Sequence, residues 1–211
     1  MIEDFSREFI DKLIIEYGSQ SKVAKLALWP TMYDDRSAEV NYAMVRYFKP
    51  KVVVEYGAYR GRCTHDILQA LIDNGQDYTF KSYEADKGIR SDAQTRLDDV
   101  FGDGTIRIGG DVMLAKDLPQ EIDYLFLDHS HNEKLSKWTW KTLIPRVKKG
   151  GLIQIHDIPL RGNFELGKLD GVFPETKQII EMHAKGVLPF EKLYWLFEED
   201  NTREGSWWIK T

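Results

Sequence analysis

Cysteine is nearly absent from this 211-residue chain: Cys63 stands alone, so no intrachain disulfide can form and a reducing compartment is the expectation. An excess of positive charge is missing too. With 29 Lys and Arg against 34 Asp and Glu, the net charge of −5 argues against broad binding to a phosphate backbone, and no nucleic-acid partner is expected. No stretch approaches the ~18 consecutive apolar residues that a membrane span requires. The opening Met1-Ile2-Glu3-Asp4-Phe5 has neither a basic n-region nor an apolar h-region. Neither export nor a membrane is indicated, so the cytoplasm is the default. There is no internal repeat, low-complexity tract or linker, and the length suits one domain with a core of its own.

What is present is concentrated first in Val52-Val53-Val54-Glu55-Tyr56-Gly57-Ala58-Tyr59-Arg60-Gly61. Three β-branched residues in a row predict a strand covered on both faces, and Gly57 and Gly61 predict a tight turn where backbone can approach a ligand. The pattern is Glu-x-Gly-x-x-x-Gly. Tyr59 occupies the place of a glycine in the dinucleotide fingerprint, which points away from a pyrophosphate and toward a cofactor with no phosphate to cradle. Glu55 would then meet a cation or a hydrogen-bond donor.

The first fifty residues read as helical. Phe5, Phe9, Ile10, Leu13, Ile14 and Tyr17 recur at helical spacing up to Gly18, Ser21 to Leu28 form a shorter helix before Trp29-Pro30, and a third helix starts near Asp35 or Ser37 and buries Val40, Met44, Val45 and Phe48. From Lys51 the pattern alternates. Strands are predicted at Val52–Glu55, Tyr78–Glu84, Thr105–Ile108, Ile122–Asp128 and Leu152–His156, with helices near Arg62–Asn74, Lys87–Val100 and Glu133–Val147. The run Arg146-Val147-Lys148-Lys149 before Gly150-Gly151 is read as cations at a helix end followed by a glycine cap. An irregular stretch from Pro159 to Phe173, a helix from Pro174 to about Lys185, and strands at Leu193–Glu198 and Ser206–Ile209 complete the chain. The expected fold is α/β: a doubly wound, mostly parallel Rossmann-like sheet with an antiparallel C-terminal edge and an N-terminal helical layer. Residues 1–50 form a helical segment of the same domain and a candidate substrate cap; residues 51–211 form the cofactor-binding part.

Ligands of such sheets sit in the crevice at the carboxyl ends of the strands, and polar residues collect there. Glu84 ends the second strand, where its carboxylate can take both hydroxyls of a ribose. Gly109-Gly110-Asp111 ends the third, where an acid can accept from an exocyclic amine or cap the next turn. Leu127-Asp128-His129-Ser130-His131 ends the fourth and His156-Asp157 the fifth.

On these residues the chain resembles the class I S-adenosylmethionine-dependent methyltransferases, and within them catechol O-methyltransferase and its small-molecule O-methyltransferase relatives. The resemblance runs from about Lys49 to Ile158. Its most specific parts are Glu55-Tyr56-Gly57-Ala58-Tyr59-Arg60-Gly61, similar to that family's Glu-Leu-Gly-Ala-Tyr-Cys-Gly, and Phe126-Leu127-Asp128-His129, similar to its Phe-Leu-Asp-His. It implies that Glu55, Gly57, Ala58, Tyr59 and Gly61 line the methionine end of the cofactor, that Glu84 binds the ribose, and that Asp111 and Val112 flank the adenine. Asp128 and His129 would also touch the cofactor. It further implies that Asp128, His156 and Asp157 bind a divalent metal that gathers the substrate oxygens, and that His131 stands where the family has its lysine base.

Two departures matter. The family has Asp-Asn at the fifth strand, all oxygen ligands suited to magnesium, whereas His156-Asp157 brings an imidazole that suits a first-row transition metal better. Metal identity therefore stays open. A histidine at 131 keeps a base, since an unperturbed imidazole at pKa ≈ 6.5 is largely neutral near pH 7. The expected activity is transfer of a methyl group from S-adenosylmethionine to a hydroxyl of a small molecule, with Asp128 and His131 carrying the chemistry and a divalent metal assisting. A metal-dependent hydrolase using His129, His131, His156 and Asp157, a nicotinamide oxidoreductase, and an inactive module that only binds S-adenosylmethionine are the competing readings. No membrane partner is expected, and a homo-oligomer is compatible with the sequence. Trp29, Met32 and Tyr33 are candidates for a substrate wall.

Overall fold

A computed structural model describes residues 7–18, 35–157, 173–196 and 205–211. The expected helix Ser21–Leu28, the candidate wall Trp29, Met32 and Tyr33, and the irregular stretch from Pro159 up to 172 lie outside the described residues.

Helix α1 (Arg7–Leu13) runs into a π turn at Ile14–Gly18, and α2 (Asp35–Phe48) precedes β1 (Val52–Tyr56). Then follow α3 (Arg62–Asn74), β2 (Thr79–Tyr83), α4 (Lys87–Phe101), β3 (Ile108–Gly109), β4 (Ile122–Leu127), α5 (Glu133–Thr142) and β5 (Val147–His156). Helix α6 (Pro174–Ala184) and strands β6 (Phe190–Leu196) and β7 (Gly205–Lys210) close the chain. The strands form one sheet of order β3-β2-β1-β4-β5-β7-β6. The first five are parallel to one another, and β7 joins β5 and β6 antiparallel, so the expected doubly wound sheet with an antiparallel edge is what forms.

The sheet is covered on both faces, as its apolar strands require. Successive residues point to opposite sides: Val53, Tyr124 and Phe126 pack with Val40, Met44 and Val45 of α2, while Val54, Leu125 and Leu127 pack with Leu143, Ile144 and Ile179. The N-terminal helical layer therefore does rest on the sheet. From β1 the chain moves outward to β2 and β3 on one side, then returns to lay β4 on the other side of β1. This reversal leaves a crevice at the carboxyl ends of β1 and β4.

The third and fifth strands differ from the sequence expectation. The third strand shrinks to Ile108–Gly109 because Gln94 of α4 takes the place of a strand neighbour. Its Nε2 donates to the Ile106 carbonyl at 2.9 Å and its Oε1 accepts from Ile108 N at 3.0 Å. The cationic run is not a helix end. α5 stops at Thr142 and Ile144–Arg146 makes a short 3₁₀ turn around Pro145, which has no N–H to continue a helix. The strand β5 then begins at Val147, five residues early, and Lys148 pairs with Asp123 at 3.0 Å.

Candidate functional site

The five parallel strands end in register. Asp128 N donates to the Tyr56 carbonyl at 2.9 Å, Gly57 N and Ala58 N both donate to the Tyr83 carbonyl at 3.0 and 3.1 Å, and Glu84 N donates to the Gly109 carbonyl at 3.0 Å. Gly57 is obligatory at this junction. Its φ is +100°, and a Cβ there would lie 1.9 Å from the Asp128 carbonyl oxygen, so only glycine lets the ends of β1 and β4 meet. Tyr59 also takes a left-handed φ of 46°, and Gly61 begins α3 with a φ of 84°.

Around this junction lies a cavity of about 730 Å³. Gly57, Ala58 and Tyr59 from the first turn, Glu84 and Asp86 after β2, Asp111 after β3, Asp128 and His129 after β4, and His156 and Asp157 after β5 all contribute to its wall. Four of the expected site residues lie outside that wall: Glu55, Gly61, Val112 and His131. Arg62, Cys63, Ile89 and Leu135 line it unforeseen. Cys63 is buried, and its sulfur accepts from Asn41 Nδ2 at 3.1 Å.

Glu84 is set up as an acceptor. Tyr59 N donates to its Oε2 and Asp86 N to its Oε1, each at 2.9 Å, which aims the carboxylate and leaves both oxygens with a lone pair for further hydroxyls. Asp111 caps the turn at Val112–Leu114 by accepting from Met113 N at 2.9 Å, so its bland role and its place in the wall coexist. Glu55 sits beneath the wall, fully buried. Its Oε2 accepts the hydroxyls of Thr64 at 2.6 Å and Ser82 at 2.5 Å. Burial, with a contribution from the Asp128 charge and against the pull of those hydroxyls, pushes its pKa up to about 7.

The histidines differ sharply from one another. His129 is buried against Tyr56, ring centroids 4.7 Å apart, and burial holds its pKa below the usual value, leaving it neutral near pH 7. His131 is not the ordinary imidazole the sequence suggests. Burial would lower its pKa, but Asp157, 3.5 Å from Nε2, and Glu175, hydrogen-bonded to Nδ1, outweigh burial and push it up to about 9. His156 is buried beneath the two acids, with Nδ1 3.2 Å from Asp157 Oδ1 and 3.5 Å from Asp128 Oδ1. Burial again acts downward, and the acids again prevail, to about 10.

Among the described residues, Asp128, His131 and Asp157 each offer a ligand atom within 4.8 Å of the others, and the expected ligand His156 lies beside the same two acids. His156, the last residue of β5, is buried, while Asp157, at a left-handed φ of 53°, begins the turn away from the strand. Glu175 escaped sequence reading altogether. An acid in the first turn of a helix after a proline is what helix electrostatics alone would place there, so nothing in Pro174-Glu175 marks a site.

Residues 54–158, the stretch that carries the cavity, match a family model described as a methyltransferase domain. No curated protein matches the chain. Among solved structures, the fold is similar to that of the O-methyltransferase TomG from Streptomyces achromogenes, involved in tomaymycin synthesis and solved with S-adenosylmethionine. That similarity has 12% identity and a TM-score of 0.69 over 100% of both chains. An O-methyltransferase from Bacillus cereus, solved with S-adenosylhomocysteine, gives 11% identity and a TM-score of 0.68, again over 100% of both chains. A Podospora anserina methyltransferase bound to S-adenosylhomocysteine gives 14% and 0.60 over 96% of this chain and 87% of that one. With the family match lying across the very strand ends that build the crevice, the chain belongs to the class I S-adenosylmethionine-dependent methyltransferases.

Proposed function

We propose that the enzyme transfers the methyl group to a hydroxyl oxygen of a small molecule, assisted by a divalent cation held by Asp128, His131 and Asp157. The observation that carries this reading is the convergence of those three donors, Asp128 and Asp157 of them in the wall of a cavity whose other strand ends present Glu84 and Asp111. S-adenosylmethionine supplies an electrophilic methyl on a sulfonium, so the protein has to align an oxygen with it and dispose of that oxygen's proton.

Each residue has a part in this. Glu84, aimed by two amides, takes the ribose hydroxyls; Asp111 flanks the adenine; Gly57, Ala58 and Tyr59 let backbone reach the methionine end. Glu55 acts from below, holding Thr64 and Ser82 rather than the cofactor. Two carboxylates and one imidazole are a donor set suited to manganese, iron or zinc more than to magnesium, and a cation there lowers the pKa of a hydroxyl bound to it. His129, neutral near pH 7, is the imidazole able to accept a proton. His131, as a ligand, gives its Nε2 lone pair to the cation and so is not the base.

The test is methyl transfer from labelled S-adenosylmethionine to a panel of catechols and sugars, with and without chelator and with manganese or magnesium restored. Methyl ether formation that chelator abolishes is expected, while S-adenosylhomocysteine still stabilises the fold by about 2.7 kcal/mol at a hundredfold excess over its dissociation constant. An unchanged melting temperature at millimolar S-adenosylhomocysteine would overturn the reading.

A further inference from the structure

Glu175 is a carboxylate only 4% exposed, in the first turn of α6, outside the parallel sheet that builds the cavity. Burying an acid costs free energy unless something demands it there. Its Oε1 is hydrogen-bonded to His131 Nδ1, and its Oε2 has no hydrogen-bond partner among the described residues. Two residues earlier, the ring of Phe173 stacks on the His131 ring with centroids 4.0 Å apart and planes 15° apart. One short segment therefore grips the imidazole by its edge and by its face. The gripped edge is Nδ1; the opposite nitrogen, Nε2, faces Asp157 Oδ2 at 3.5 Å and belongs to the cluster with Asp128.

This matters because an imidazole coordinates through one nitrogen, and the hydrogen bond at the other nitrogen decides which one. A carboxylate at Nδ1 keeps a proton there and turns the Nε2 lone pair toward Asp128 and Asp157. A carboxylate placed behind a ligating imidazole also makes it a stronger donor.

We propose that Glu175 is the positioning residue of the cation site: together with Phe173 it orients His131 so that Nε2 completes a three-donor set with Asp128 and Asp157. The proposal rests on the metal-assisted reading above and extends it to a helix 44 residues further along the chain. α6 then does more than cover the sheet. It couples the packing of the C-terminal part to cation binding at the strand ends.

The experiment is titration of the full chain with Mn²⁺ alone, by calorimetry and by the loss of the free-ion electron paramagnetic resonance signal, for wild type, Glu175→Gln, Glu175→Ala, His131→Ala and Asp128→Ala. Affinity should fall in the order wild type, Gln, Ala, with Glu175→Ala weaker by roughly 10- to 100-fold and Glu175→Gln intermediate, since the amide keeps an acceptor oxygen but loses the charge. S-adenosylhomocysteine affinity of the two Glu175 variants, measured on the same samples, should stay within about twofold, which a general loss of structure would not allow. Should the alanine variant fail to fold, the glutamine variant carries the comparison. Wild-type Mn²⁺ affinity in the folded Glu175 variants overturns the positioning role. If Asp128→Ala loses Mn²⁺ while His131→Ala and the Glu175 variants keep it, the cation site stands and the Glu175–His131 arm is refuted. Absence of Mn²⁺ binding by the wild type refutes the cation site and this proposal together.

Discussion

Replacing Glu55 with glutamine converts the burial of one carboxyl into a measurable dependence of stability on pH. Burial raises the pKa of Glu55 from 4.5 to about 7. The unfolded chain releases this proton near 4.5, whereas the folded protein keeps it to about 7, so the native state binds more protons throughout that window. Stability therefore falls as pH rises from 4.5 through about 7: the contribution of Glu55 is least costly below 4.5 and fully unfavourable above 7. At about 1.4 kcal/mol per tenfold change, the full span comes to about 3 kcal/mol. Glutamine is neutral at every pH and offers the Thr64 and Ser82 hydroxyls the same acceptor oxygen. Its amide hydrogens meet the side where Oε1 has no partner among the described residues, which adds a cost of about 1–3 kcal/mol that does not vary with pH. The decisive quantity is thus the change in the difference between variant and wild type, not its sign at one pH. Urea denaturation across the range should show that difference moving in favour of Glu55→Gln by about 3 kcal/mol between pH 4.5 and about pH 8. A difference that stays flat over that range refutes the reasoning and shows that Glu55 is ionised in the folded protein at neutral pH.

Two further outcomes follow from the strand-end junction. Gly57→Ala drives a methyl group to 1.9 Å from a backbone oxygen at a φ of +100°, so it should destabilise by on the order of 3 kcal/mol or more, and a wild-type melting temperature would refute the close approach of β1 and β4. Glu84→Ala should weaken S-adenosylhomocysteine binding by roughly 10- to 100-fold in calorimetry, given that a hydrogen bond to a charged group is worth about 1.5–3 kcal/mol. Unaltered affinity would take Glu84 out of the cofactor site.

Much of the frame can be read locally. A β-branched run followed by Glu-x-Gly-x-x-x-Gly is a strand, a turn and a helix because side-chain branching and glycine's freedom at positive φ act on nearest neighbours. β1 with its turn and α3 appear where expected. Once strands and helices alternate, right-handed crossovers stack the strand ends on one edge, which is why the sequence order alone brings Glu84, Asp111, Asp128 and His156-Asp157 to one crevice. The departures from the expected frame are short-range too, but depend on partners: β3 is short where the Gln94 side chain replaces a strand neighbour, and β5 starts early, with Lys148 paired to Asp123 instead of capping a helix.

Protonation and ligand geometry at the site were decided only by tertiary structure. Three histidines with the same intrinsic pKa end up below the usual value, near 9 and near 10 because each sums its own burial and its own carboxylates, some of them far away in sequence. The sequence by itself determined the fold, the methyltransferase family and the strand ends that form the crevice, since those follow from local patterns and chain order. That His131 joins Asp128 and Asp157, that Glu55 lies under the wall and not in it, and that Glu175 stands behind His131 were settled by folding alone, because they depend on distances of a few ångströms between segments that no sequence spacing encodes.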